Sequence, residues 1–322
     1  MLAILKNNYC RMLQRLSSIL VMTVIMLLSI ILAVYVTSSQ QVKANIAVIS
    51  ENDITPVSSK QLSVTVMKNE PPYSDLVKHQ YDAYVIDRGN GKYYIKTLKN
   101  QQFKSMVLML LKNPHTVLPH QSTDRGVGVN IIGFLMMFLL MEAFMNMFTF
   151  ADDKEKGQLS RIVTAPVSLT GYLAAHCIYC LSMFLPAYLM LIIMKVVGFN
   201  IGFTLLQYAL LLLLIGMLGI SFALMLNMFL KKPDNANMLG NSIIMLTSVL
   251  AGGFYSFSKD NKVLDYIAKI LPQKHILDFA QYIQNGSSLT HLQPLFYVIG
   301  VSLLFFSVTC IKLRMQYVKK IC

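Results

Sequence analysis

Six stretches of about 20 residues carry almost no charge, and they leave this chain few ways to fold. The first, Leu16 to Val36, has 21 residues and no ionisable side chain, and 13 of them are Leu, Ile or Val. At 1.5 Å per residue it crosses a hydrocarbon core of about 30 Å. Its transfer into lipid is favourable by on the order of 4–8 kcal/mol. Five more runs follow at about 129–150, 172–197, 204–230, 238–257 and 292–311. Charged residues make up 13% of the 322-residue chain, against about a quarter in a soluble protein. The first run is too long for a signal peptide and lacks a small-residue cleavage site, so it reads as a retained span. Pro186 should kink the third run. The expected fold is an α-helical integral membrane protein with six transmembrane helices.

Two segments around the first run differ from it. Residues 1–15 place Leu2, Leu5, Tyr9, Met12 and Leu13 at helical spacing, with Lys6, Arg11 and Arg15 among polar neighbours. That pattern predicts an amphipathic helix lying in the membrane interface, its basic residues toward anionic headgroups. Residues 37–127 form the one large polar region. Alternating or β-branched runs predict strands at Asn45–Ser50, Leu62–Met67, Tyr81–Asp87 and Lys92–Leu98. The last two flank Asn90-Gly91, a hairpin signal, and a short helix is expected over Phe103–Leu111. The reading is a small α/β domain between the first two spans.

The net charge of +13 has a topological meaning. Twelve basic residues lie in the leader, the 151–171 loop, Lys231-Lys232 and the tail after Ile311, whereas the short loops of opposite parity hold four. This positive-inside pattern places both ends in the cytoplasm and the 37–127 domain outside, as expected of a multi-pass protein of a bacterial plasma membrane. No contiguous basic stripe of the kind nucleic-acid binding needs is visible.

The 151–171 loop holds the densest charge. Six of the eleven residues from Asp152 to Ile162 are ionisable. Gly157 should break the incoming helix and Pro166 should end the next one. Between them Leu159, Ile162 and Val163 fall at i, i+3 and i+4, one apolar stripe on a helix too short to stand alone. It must dock on something. A phosphate-cradling loop is missing: Gly91-Lys92 is followed by Tyr93 and preceded by Ile86 at the first glycine position. Cys177 and Cys180 form a lone C-x-x-C at the start of an apolar run, read as packing. His115 and His120 lack a third metal ligand. Glu142 sits mid-span, where a carboxylate costs roughly 2.5–3.5 kcal/mol. It lines a substrate path, or else makes a helix–helix contact with Asn146 one turn on.

The charged stretch Glu155-Lys156-Gly157-Gln158-Leu159-Ser160-Arg161-Ile162-Val163-Thr164-Ala165-Pro166-Val167-Ser168 resembles the first cytoplasmic loop of the type-two ABC exporter permeases. In that stretch Gln158 stands where many members have Thr, and Gly252-Gly253-Phe254, followed by Leu271-Pro272 and His275, is similar to a second stretch of that family. The resemblance implies that residues 152–166 form a coupling helix seated on a separate ATP-binding subunit. Leu159, Ile162 and Val163 would then be buried there, with Glu155 and Arg161 at the rim. It also implies a re-entrant segment near 258–290, an interfacial elbow at the leader, and a dimer or heterodimer of permeases with two ATPases. ATP and Mg would bind the partner, no cofactor this chain, and a hydrophobic or amphipathic substrate (a drug, peptide or lipid-linked molecule) would leave the cell. Two other classes fit the residues less fully. One is a membrane receptor or immunity protein binding through the 37–127 domain, the other an intramembrane enzyme using Glu142.

Overall fold

The computed structural model describes residues 1–14, 16–40, 44–49, 62–67, 71–72, 76, 81–87, 93–98, 104, 107–108, 126–164, 168–254, 262–287 and 290–318. The chain divides into two compact units, Met1–Thr37 with Arg125–Cys322, and Ser38–Asp124.

The first unit is helical. Helix α1 (Leu2–Gln14) turns by 86° into the apolar part of α2 (Leu16–Gln40). Next come α3 (Val127–Asn146) and α4 (Phe148–Glu155), which follow one another as a single 29-residue span interrupted at Met147. A short α5 (Gln158–Thr164) leads to α6 (Leu169–Ser182) and α7 (Leu185–Val196), again two pieces of one span. Their break lies at Met183 and Phe184, one turn ahead of the kink expected at Pro186, because proline fits the first turn of the new helix. Helices α8 (Leu205–Phe229), α9 (Pro233–Leu250), α10 (Lys262–Ile270), α11 (Pro272–Gln284) and α12 (Gln293–Leu313) complete the unit, with a π-helical turn at Arg314–Val318.

Local chemistry sets these boundaries. Ser168 caps α6 by accepting a hydrogen bond from the Gly171 amide at 3.2 Å. Thr204 and Gln207 form a reciprocal capping box at the start of α8 (3.3 and 2.8 Å). Pro233, Pro272 and Pro294 each stand in the first turn of a helix.

Span α3–α4 is the hub, with 72% of its apolar window inside the protein, against 17% for α12. Helices α8, α9 and α11 pack around α3, and α12 lies along α8. Outward faces of α2 and α12 (Leu20, Val24, Leu28, Leu32; Leu303, Leu304) are apolar and exposed, as a lipid-facing surface requires. Among the described residues four helices are long and apolar enough to cross a membrane, or five if the bent pair α1–α2 counts as one span. The six spans expected from the sequence therefore reduce to four or five by this criterion. The difference lies in α9. It begins at Pro233, five residues earlier than the apolar run, taking in Asp234, Asn235 and Asn237, and it ends at Leu250.

The second unit carries a four-stranded sheet ordered β2-β1-β3-β4. Strand β1 (Ala44–Ile49) pairs in parallel with β2 (Leu62–Met67) and with β3 (Ala83–Asp87), and β3 forms an antiparallel pair with β4 (Tyr93–Lys96). Each strand falls on a run read from the sequence. Alternation sends Ile46, Val48, Val85 and Ile95 to one face with Val107, and Ala47 and Tyr84 to the other with Leu76. The Arg88–Lys92 turn, His115 and His120 lie outside the described residues, as does most of the helix expected over Phe103–Leu111.

Candidate functional site

The charged stretch is built in two pieces rather than as one loop. Asp152, Asp153, Lys154 and Glu155 form the last turn of α4, continuous with the span. Lys156 and Gly157 then make the turn into α5. Gly157 has φ 69°, a left-handed conformation that favours glycine, so the chain reverses where the sequence placed a breaker.

Helix α5 docks on its own chain. Leu159 is fully buried in the membrane unit's core and Ile162 packs against the same cluster. The π-helical turn Arg314–Val318 lies beside α5. Leu159, expected in a partner's groove, is thus enclosed by its own chain, and Ile162 is partly covered by it. The apolar stripe needs a dock, and the protein's own core supplies it. What α5 and its turn leave exposed is polar: Glu155, Lys156, Gln158, Ser160, Arg161 and Thr164. The side chain of Val163, and Pro166 altogether, lie outside the described residues.

The turn of helix before Gly157 is tied down by charge. The Arg11 guanidinium of α1 forks across two carboxylates, donating from Nη1 to Asp153 Oδ1 at 2.6 Å and from Nη2 to Asp152 Oδ2 at 2.5 Å. Tyr172 donates its hydroxyl to the second Asp153 oxygen at 2.7 Å, and Lys156 reaches Asp152 at 2.9 Å. The side chains of Asp153 and Arg11 are only 5% and 19% exposed, so these are charge-assisted bonds in a mostly dry setting. Leu2 and Leu13 of α1 face outward, whereas Asn8 is buried and hydrogen-bonds His176 Nδ1 at 3.2 Å. Arg11 is thus turned into the protein, not toward headgroups as its helical pattern suggested.

Lys154 makes the third tie. Its ammonium donates to the carbonyls of Asn227 (2.7 Å), Met228 (3.1 Å) and Leu230 (2.8 Å), the open end of α8. All three donors are used, and the positive charge sits on the negative pole of a 25-residue helix. Lys312 lies over the Phe229 ring beside it at 3.4 Å. One helical turn therefore holds α1, α6 and α8 together.

Deeper in the span, Glu142 is 2% exposed and its Oε2 has no hydrogen-bond partner among the described residues. Asn146 does not pair with it. Instead Asn146 Oδ1 accepts from Tyr179 at 3.3 Å, which removes the Glu142–Asn146 contact considered from the sequence. Cys180 donates its thiol to the Ala143 carbonyl at 3.7 Å.

At the other end of α3 the glycines govern. Gly252 has φ 81°, and the Gly253 carbonyl lies so close to Gly133 that a Cβ there would overlap it. Phe254 meets Phe134 edge-on with ring centroids 5.0 Å apart. Helix α10 is followed by Leu271, and Pro272 starts α11. His275 Nε2 is 2.9 Å from the Lys269 carbonyl and its ring lies 4.0 Å from that of Tyr297. Of the residues the sequence pointed to, Gly252 and Gly253 follow the end of α9, and Pro272 and His275 stand in the first turn of α11. Lys154 and Tyr172 were not singled out by sequence reasoning, and the pairings of Arg11 and His176 were not foreseen. Their partners lie on other helices, so spacing along the chain carries no trace of them.

A bundle of apolar spans around a buried hub helix defines a multi-pass membrane protein. The profile of the ABC-2 type transporter family matches residues 98–285, more than half of the chain, from before α3 to the end of α11. The chain belongs to that family. Its members are membrane permeases of ABC transporters rather than enzymes, and they generally work with ATP-binding subunits. No curated protein matches the chain.

Proposed function

We propose that this chain is the membrane subunit of an ATP-driven exporter, receiving motion from a separate ATPase at α5. The observation that carries the reading is the exposed polar face of α5 and its turn (Glu155, Gln158, Ser160, Arg161 and Thr164), mounted on a helical turn fixed to three other helices. A partner that displaces this face moves the ends of several spans at once. In this reading the charged end is cytoplasmic, α9 with the residues after it is a further span for a total of six, and the Ser38–Asp124 unit faces outward. A second permease copy or homologue completes the path, two ATPases bind ATP and Mg, and the cargo is a hydrophobic or amphipathic molecule.

Co-purification tests it. The wild-type chain should bring down an ATPase from its native membrane, and Arg161→Glu should lose that ATPase while keeping its elution volume. A wild-type chain that comes out alone, and an Arg161→Glu variant with unchanged transport, would favour the receptor reading and sink this one.

A further inference from the structure

A buried polar ladder runs from the charged turn toward the middle of the membrane. On span α3–α4, Glu142, Asn146, Thr149 and Asp153 are spaced by four, three and four residues, so they share one face. Opposite them α6 presents Tyr172, His176, Tyr179 and Cys180 at the same period. All four α3–α4 residues are buried, and His176 is completely so.

The rungs are close. Asp153 Oδ2 accepts from Tyr172 at 2.7 Å and lies 3.8 Å from His176 Nε2. His176 Nδ1 is 3.3 Å from the Thr149 hydroxyl, which in turn donates to the Asn146 carbonyl at 3.1 Å. Tyr179 donates to Asn146 Oδ1, one turn from Glu142, and Cys180 donates to the carbonyl of Ala143, the residue that follows Glu142. Along this seam Asn8 Oδ1, His176 Nε2, Asn146 Nδ2 and Glu142 Oε2 are unpartnered among the described residues. They comprise a donor, acceptors and a two-sided imidazole, the set that a file of water satisfies and that apolar packing does not.

We propose that the seam between span α3–α4 and α6 is a hydrated proton path connecting Glu142 with the charged turn at Asp153. His176 accepts a proton on one ring nitrogen and releases one from the other. Thr149 and Tyr179 pass protons through their hydroxyls, Asn146 and Asn8 hold water in line, and the Glu142 carboxyl is the inner terminus that takes the proton up and returns it. The remaining charged groups at the entrance are Arg11, Asp152, Lys154, Glu155 and Lys156, with Tyr9 beside Tyr179. Helix α8 adds only Tyr208 as an ionisable group. Helix α9 adds Asp234 in its first turn. On α11 Lys274 and Asp278 pair with each other, and that helix meets α3 near Gly126 at the far end. Calling the entrance cytoplasmic rests on the topology proposed above. The path itself does not.

Infrared spectroscopy of the full-length chain in lipid nanodiscs tests it. A protonated-carboxyl stretch that disappears in Glu142→Gln should shift when the bulk is changed from H2O to D2O. His176→Phe should slow that shift about tenfold, the factor expected when one hydrogen-bonded step is removed. Thr149→Val, of equal volume, should do the same and serves if His176→Phe does not fold. Ser221→Ala removes a buried hydroxyl bonded only within α8 and should change nothing. A stretch that Glu142→Gln leaves in place, or exchange at the wild-type rate in both path variants, overturns the proposal. ATPase co-purification by Glu142→Gln reports separately on the permease reading.

Discussion

The two ends of span α3–α4 are held by opposite means. Near Gly133 the span touches its neighbour backbone to backbone, with the Gly253 carbonyl where a side chain would have to go. Near Asp153 it touches its neighbours through long charged side chains, Arg11 and Lys154, each filling several hydrogen bonds. Contact by shape is rigid and intolerant of any added atom. Contact by charge is directional, and its partners can separate and re-form in another arrangement. On the coupling proposed above, the contrast makes the glycine end the pivot and the charged end the working joint.

Substitutions can break each side of that comparison. Gly133→Val should be the most damaging, because a backbone carbonyl cannot step aside. A loss of about 3 kcal/mol is expected, the upper end for overpacking, read as a lowered thermal midpoint of the purified chain. Asp153→Ala leaves Tyr172 without its acceptor and Arg11 with Asp152 alone, and should cost about 2 kcal/mol, reduced from a fully dry pair by the partial exposure of Arg11. Added salt should narrow that gap from wild type and leave the Gly133→Val gap unchanged. Lys154→Met keeps the aliphatic stem but opens three carbonyls at the end of α8. The expected loss is about 1 kcal/mol, with faster amide exchange confined to the last turn of α8 by mass spectrometry. Lys156→Ala should be the mildest, about 0.3 kcal/mol, since this side chain is 60% exposed and its partner is one turn away. A Lys156→Ala loss as large as that of Asp153→Ala would mean that the ties do not differ in burial as described.

Much of the fold was legible in the residues. Uncharged runs located the spans because lipid admits few alternatives, and Gly157 and Pro272 marked helix ends by backbone chemistry alone. Alternation located the strands, but not that β1 pairs in parallel on both sides, since pairing partners are set by chain crossings rather than by period. The limits of the local signal show at α5. Its stripe announced that Leu159 would be buried, and nothing in seven residues could say against what. The tie between Arg11 and Asp153 spans 142 positions, and its helical pattern assigned the arginine to lipid. Likewise α9 was read as a span from its apolar half, whereas its first two turns are rich in asparagine.

On the coupling proposed above, and because Leu159 belongs to the permease's own core, folding and partner choice are written in different residues of the same short helix. Lineages can rewrite Gln158, Ser160, Arg161 and Thr164 to accept a new motor protein without reopening the question of whether the membrane unit folds. A graft of those outward positions alone, leaving Leu159 and Ile162 in place, is then the smallest change that redirects one transporter to another's engine.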